Sequence, residues 1–352
     1  MPLKAPERIL IVSTTGLGDS LWATPALRAV RERYPESYVA LLTSQTGYQV
    51  LKNLSFFDEA FILKNSSIFS FLRLFLRMKK LKFDTVLIFH ASQRFVLPFC
   101  ALLGPHRLIG TEGLNKGLDH LLTDRIEKKP CHEIARRLEM VACLGAKPSR
   151  SLLELAISKD DHIHVDEFIN TLNLPPYIPL VCLHPGAKDH FKQWDPVCFI
   201  EVGRRLQDHL GCQIFITGNA SEKKLVEKIA QNIPGAIPVC GHFTVHQTAS
   251  LIQRMSLMIT NDTGPMHLAF AVRTPTVALF SATDPKLCGP YMDVKAKVIY
   301  KKRTCQPCLM KKCREPFCLL QISPSEVVES ALKLFYDKEK YEQSFDASYL
   351  HC

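Results

Sequence analysis

Apolar residues run through this chain in short bursts separated by stretches of helical period. "RILIVST" (8–14), "YVALLTS" (38–44) and "DTVLIFH" (84–90) are nearly unbroken hydrophobic runs, as strands buried on both faces require. Between the first two, "PALRAVRERYP" sets Leu27, Val30 and Tyr34 on one face with arginines opposite, which predicts an amphipathic helix. A further helix is predicted over 67–81. The alternation then restarts. "PLVCLH", "CQIFITG", "SLMITN" and "TPTVALFS" read as strands. "DPVCFIEVGRRLQDHLG" reads as a helix stopped at Gly211, followed by the helices "ASEKKLVEKIAQNIP", "VHQTASLIQRM", "GPMHLAFAV" and, last, "PSEVVESALKLFYDKEKY". Strands alternating with helices predict an α/β fold with parallel sheets, and two such series predict two doubly wound domains. Ligands then bind at the carboxyl ends of the strands, here expected at a shared cleft.

The alternation lapses over 158–179, which is polar and then rich in proline (Pro175, Pro176, Pro179). The boundary is placed there, giving domains at 1–165 and 176–322 and a final helix at 323–342. A hydrophobic fraction of 47% in 352 residues suffices for two cores. Lys plus Arg outnumber Asp plus Glu by 44 to 34, and the net charge of +10 favours an anionic partner. No secretory signal is legible and no segment reads as a spanning helix, so a cytoplasmic location is expected.

Three turns after strands could carry chemistry. In "STTGLGDS", Gly16 and Gly18 let a ligand approach the backbone, but Asp19 stands where a phosphate loop would have lysine. Its carboxylate either caps the helix or takes a proton from a hydroxyl. In "HPGAKDHFKQW", Lys188 and Lys192 suit a diphosphate. In "TNDTGPMHLAFA", the amides of Thr263 and Gly264 face along a helix axis, an anion site beside Asp262. His267, one turn on, is a donor-site contact or a structural histidine.

Two other segments stand out. Cys305, Cys308, Cys313 and Cys318, spaced C-x2-C-x4-C-x4-C, could wrap a structural zinc or an iron centre, or form a self-packed loop. The remaining cysteines are expected to be mostly buried small hydrophobes. In "SSIFSFLRLFLRMKKLKFD", Phe69, Leu72, Leu76 and Phe83 are expected to cover the apolar side, with Arg73, Arg77 and Lys80 as a basic stripe. That helix is a crossover with a solvated face, or it lies against anionic lipid.

Taken together, "ILIVSTTGLGDSLWATPALRAVRERYP", "FDTVLIFHASQRFVLPFCALLGPHRLIG", "HPGAKDHFKQWDPVCFIEVGRRL", "TNDTGPMHLAFA", "LFSATDP" and "ISPSEVVESAL" resemble the heptosyltransferases of lipopolysaccharide core synthesis, the ADP-heptose glycosyltransferase family, nearly end to end. The resemblance implies a GT-B fold of two facing Rossmann-like domains with parallel sheets, the last helix crossing back to the first. It implies an inverting transfer from ADP-heptose to a hydroxyl of the anionic lipopolysaccharide core, with no catalytic cofactor or metal. Asp19 takes the place of the general base. Lys192, Thr263 and Gly264 match positions that hold the diphosphate, Asp262 lies near the donor sugar, and Glu222 is placed to hold ribose hydroxyls. Gly18, His90, Arg94, Arg73 and Arg77 fall on the acceptor side. Peripheral contact with the inner leaflet of the inner membrane is expected, and no nucleic acid. Within the family, a protein hydroxyl or another sugar remains an alternative. A sugar-nucleotide binder without turnover is disfavoured by Asp19, Lys192 and Asp262. A nucleic-acid binder is disfavoured because the basic residues do not coincide with aromatic stacking platforms.

Overall fold

The computed structural model describes residues 6–64, 68–91, 93–292, 294–305 and 312–349. The chain divides into two compact units, Met1–Ala156 and Ile157–Cys352.

The first unit runs β1 (Arg8–Ser13), α1 (Leu17–Trp22), α2 (Thr24–Arg33), β2 (Tyr38–Thr43), α3 (Gln45–Leu51), β3 (Glu59–Ile62) and α4 (Ile68–Lys80). It continues with β4 (Thr85–His90), α5 (Val96–Leu102), β5 (Arg107–Thr111), β6 (Asp124–Ile126) and α6 (Glu133–Ala142). Its six parallel strands lie in the order β3-β2-β1-β4-β5-β6. Ile9 to Val12, Val39 to Leu42 and Val86 to Leu87 are fully buried, which is why those segments read as unbroken apolar runs.

The second unit begins with α7 (Lys159–Thr171), β7 (Leu180–His184), α8 (Pro196–Leu210), β8 (Gln213–Gly218), α9 (Lys223–Ala230), β9 (Ile237–Cys240) and α10 (Val245–Gln253). It ends with β10 (Leu257–Asn261), α11 (Gly264–Ala271), β11 (Thr276–Phe280), α12 (Pro285–Cys288), β12 (Ala296–Tyr300), α13 (Phe317–Leu320) and α14 (Pro324–Tyr349). Its six parallel strands repeat the arrangement as β12-β11-β10-β7-β8-β9. In each unit the first strand therefore sits beside the fourth, where the winding reverses, and this is where doubly wound sheets hold ligands. Gly211 ends α8 at φ 56°, a left-handed cap that glycine adopts without a Cβ penalty. Val327, Val328, Ala331 and Leu334 of α14 join the core of this second unit.

The structure differs from the sequence reading at several points. The polar stretch after 158 is not linker at its start: Ser158 caps α7 by accepting from the Asp161 amide, and α7 belongs to the second unit. Among the described cysteines outside the cluster, Cys100, Cys182 and Cys212 are buried, whereas Cys131, Cys198, Cys240 and Cys288 are half-buried and Cys143 is exposed; Cys352 lies outside the described residues. Most therefore sit at the margins of the core rather than inside it.

The orientation of α4 is also corrected. Met78 is buried, with Phe71, Leu74 and Phe75 packed beside it, while Phe69, Leu72 and Leu76 face solvent. Both sides of this helix are apolar, so periodicity alone could not choose between them. Packing chose: Phe71 meets Phe95 and Phe99 edge-on at 5.3 and 5.1 Å, and Phe75 meets Phe99 at 5.5 Å.

Candidate active site

In the first unit the candidate residues collect at the carboxyl ends of β1 and β4. The helix cap is Gly16, extended at φ −80° and ψ −173°, with no side-chain cap bond. Nothing lies within 4 Å of where a Cβ would stand on Gly16, so the turn is open to a ligand. Asp19 is thus not the cap. It sits in the first turn of α1, near Gly18, with its side chain 25% exposed and 3.4 Å from Arg137 Nη2.

Arg137 is a component that local sequence did not reveal. It is fully buried on α6, donates to the backbone oxygen and to Oε2 of Glu133 at 2.7 and 2.9 Å, and lies 5.6 Å over the Trp22 ring. Arg136 donates to the other Glu133 oxygen at 2.6 Å. His132 caps α6, its Nδ1 accepting from the Ile134 amide, and its ring meets Trp22 edge-on. Glu133 is thereby shared between two arginines, and one of them turns its Nη2 to Asp19. His90 ends β4 and belongs to the same cluster. Desolvation draws its imidazole below the ordinary value; the Asp19 carboxylate opposes that shift and the Arg137 guanidinium adds to it.

A cavity of about 410 Å³ opens beside this cluster, lined by Thr14, Ser44, Gln45, Thr46, Lys64 and Gln93 among others. These residues follow β1, β2, β3 and β4, so the cavity lies at the ligand end of the sheet, and most of its lining is polar. Arg94 is exposed just beyond Gln93. The structure does not bring Arg77 to this end: it pairs with Glu59, the first residue of β3, and stacks over Phe61. Arg73 lies on the solvent face of α4.

In the second unit the candidate residues collect after β7 and β10. Lys192 Nζ donates to Asp262 Oδ2 at 2.7 Å, and the Thr283 hydroxyl donates to the same oxygen. The loop carrying Lys192 is fastened by Asn261, whose Oδ1 accepts from the Trp194 amide at 3.1 Å and whose Nδ2 donates to the Pro185 carbonyl at 2.8 Å. Trp194 is 1% exposed, and its indole N–H donates to the Ile322 carbonyl at 3.1 Å. Lys188 is exposed in the same loop. Thr263 caps α11 without spending its side chain on a cap bond, so its hydroxyl and the Gly264 amide can meet an anion, whereas Pro265 has no N–H and the Met266 amide donates to the Thr263 carbonyl at 3.2 Å. His267 is buried one turn later, edge-on to Phe270.

Glu222 has a structural task as well. It accepts from the Asn219 amide at 2.8 Å in a capping box, and its carboxylate lies so close to Gly186 that a Cβ there would fall 2.1 Å from Oε1. Glycine at 186 is what allows the acid to reach the turn after β7.

The model of glycosyltransferase family 9 (heptosyltransferase) matches residues 125–318. The chain belongs to that family. It is a glycosyltransferase. Among relatives of this family 9 member, lipooligosaccharide heptosyltransferase 2 of Campylobacter jejuni is 27% identical over 336 residues, covering 93% of this chain and 99% of that protein. Lipopolysaccharide heptosyltransferase 2 of Escherichia coli K12 is 22% identical, covering 94% and 99%. Two solved structures share the fold. The glycosyl transferase family 9 protein of Veillonella parvula superposes with a TM-score of 0.79 at 21% identity, covering 94% of this chain and 97% of that one. The E. coli ADP-heptose heptosyltransferase II gives 0.75 at 20% identity, covering 94% and 99%. The architecture is thus the GT-B type, with two Rossmann-like units.

The four-cysteine expectation falls partly outside the described residues, because Cys308 does. Cys305 is exposed, and Cys313 and Cys318 are half-buried. Among the described residues no three His, Cys, Asp or Glu are grouped so as to hold a metal ion.

Proposed function

We propose that this glycosyltransferase moves a heptose from ADP-heptose to a hydroxyl of the lipopolysaccharide inner core, with inversion at the anomeric carbon. The relatives are heptosyltransferases by name, which supports the sugar and the acceptor class. One observation carries the chemistry. At the reversal point of the first sheet stands a partly exposed carboxylate, Asp19, and at that of the second a lysine beside a helix N-terminus. The first suits a proton acceptor and the second a leaving diphosphate.

In this reading the acceptor hydroxyl oxygen attacks the anomeric carbon as the bond to the ADP oxygen breaks. The hydroxyl proton passes to the Asp19 carboxylate. Charge developing on the diphosphate meets the Lys192 ammonium, the Thr263 hydroxyl and the Gly264 amide, with Lys188 at the edge. Asp262, which also accepts from the Thr283 hydroxyl, holds the ammonium in place, and Glu222 reaches toward the ribose. The cavity with Lys64 and Gln93 receives the anionic sugar that bears the attacking hydroxyl, with His90, Arg94 and Gly18 nearby. A nucleotide sugar as donor places the reaction in the cytoplasm.

The test couples ADP release to an extracted core glycolipid lacking the relevant heptose. Asp19→Ala should lower turnover by about 10²- to 10⁴-fold, the worth of general-base assistance, while leaving ADP affinity intact. Turnover equal to that of the native protein would sink the base assignment. A lipopolysaccharide whose mass is unchanged when the protein is deleted from its cells would sink the acceptor.

A further inference from the structure

We infer that α4, together with the end of α5, is a docking surface for an anionic phospholipid bilayer. The reasoning starts from the side chains that packing left outside. Phe69 is 79% exposed, and Leu72 and Leu76 are 52% exposed each. They fall at i, i+3 and i+7 and share one face of the helix. The aromatic contacts of Phe71 and Phe75 with Phe95 and Phe99 pin the opposite face to the core, so the outward one cannot rotate inward. Lys79 Nζ donates to the Leu102 carbonyl at 2.6 Å, which ties the ends of α4 and α5 together. Leu102, 66% exposed, extends the apolar strip onto the end of α5.

Charge names the occupant. Arg73 and Lys80 project from the same solvent face, between the exposed apolar side chains, with Arg77 and Lys79 at its flanks and Lys82 just beyond. No Asp or Glu occurs from Ile68 to Phe83. Among the described residues Arg77 has Glu59 as a partner, whereas Arg73 and Lys80 have no carboxylate. A protein partner's interface core is depleted in lysine, with charge pushed to the rim. Cations interleaved with Phe and Leu suit a headgroup layer instead: the apolar groups enter the acyl boundary and the cations stay among the phosphates. The helix has 13 residues, and no described helix is long and apolar enough to cross a membrane, so it would lie in the interface plane. Lys64, on the cavity of the first unit, is four positions before the first residue of α4 in sequence, so a bilayer held at the start of α4 adjoins the cavity.

The inference does not need the transfer chemistry, because lipid binding is read without donor or acceptor. The full chain is floated with vesicles of phosphatidylcholine alone or mixed with phosphatidylglycerol. Binding should require phosphatidylglycerol and weaken as salt rises. Arg73→Gln with Lys80→Gln should lower the partition coefficient by roughly 30-fold, at about fivefold per cation removed. Phe69→Ser with Leu72→Ser should lower it by about tenfold or more, while the melting temperature stays put because both side chains are already exposed. Native-like binding by both pairs of variants would overturn the inference and assign any adsorption to the general positive charge. Failure of the native chain to float would overturn it directly. So would a loss of self-association in the Phe69/Leu72 variant without loss of lipid binding, since that face would then cover a second copy.

Discussion

Arg137, with no exposed surface, stands 3.4 Å from the carboxylate of Asp19, 118 residues earlier in the chain. The arginine is anchored first by Glu133 and only then offers its second nitrogen to Asp19. The side chain assigned as base is therefore oriented by a buried cation that itself has little freedom to move.

Arg137→Met should cost stability as well as turnover. Removing one member of a buried ionic cluster leaves the others unpaired, typically at about 3–5 kcal/mol. Thermal melting reads that loss. Arg137→Lys keeps the charge but not the fork, and should recover more of the melting temperature than of the transfer rate. A methionine variant that melts with the native protein and turns over normally would show that the cluster does not orient Asp19.

Lys192→Ala should weaken ADP binding by about 10- to 100-fold, the worth of a charge-assisted hydrogen bond of roughly 1.5–3 kcal/mol. Isothermal titration with ADP measures it. Unchanged affinity would mean that the ion pair with Asp262 is structural and that the diphosphate is held elsewhere.

Trp194→Phe keeps the ring and removes the indole N–H that reaches Ile322. A buried carbonyl left without its donor costs about 1–3 kcal/mol, so the denaturant midpoint should fall accordingly. ADP affinity should fall less than in Lys192→Ala, because Asn261 still fastens the loop. A midpoint equal to the native value would show that the Ile322 carbonyl finds another donor.

His184 gives a stability signature in pH. Burial pushes its imidazole down from 6.5 to about 4, with a hydrogen bond to Thr217 acting the other way. The unfolded chain takes up a proton below about pH 6.5 while the folded one resists until about pH 4. Stability is therefore greatest above that window and falls as pH drops through it, by roughly 3 kcal/mol in all. His184→Gln should flatten the slope between those limits, whatever its offset at neutral pH. An unaltered slope in urea melts taken across the window would assign the acid sensitivity to other groups.

What was legible in the sequence follows from period and burial. The strands with buried interiors, β1, β2, β4, β7, β8, β10 and β11, read as apolar runs because both faces are covered. The edge strands β3, β6, β9 and β12 escape an apolar-run reading because at most one residue of each is buried. A residue that argues against a strand adds to this in β9, which carries Pro238, and accounts for one further strand, β5, which carries Gly110. Helix α6 was missed because the side chains it buries include Arg136 and Arg137, which a hydrophobic pattern counts as solvent-facing.

By itself, then, the sequence determined the two alternating series, the turns after β1, β7 and β10, and the residue types those turns carry, all of which depend on neighbours within a few residues. Tertiary structure alone decided that β1 lies beside β4 and β7 beside β10, that Arg137 reaches Asp19, that Lys192 and Thr283 both donate to Asp262, and which apolar side of α4 stays outside. Strand order and side-chain pairing are settled by the packing of elements far apart in the chain, and local periodicity carries no information about which distant partner will cover a given face.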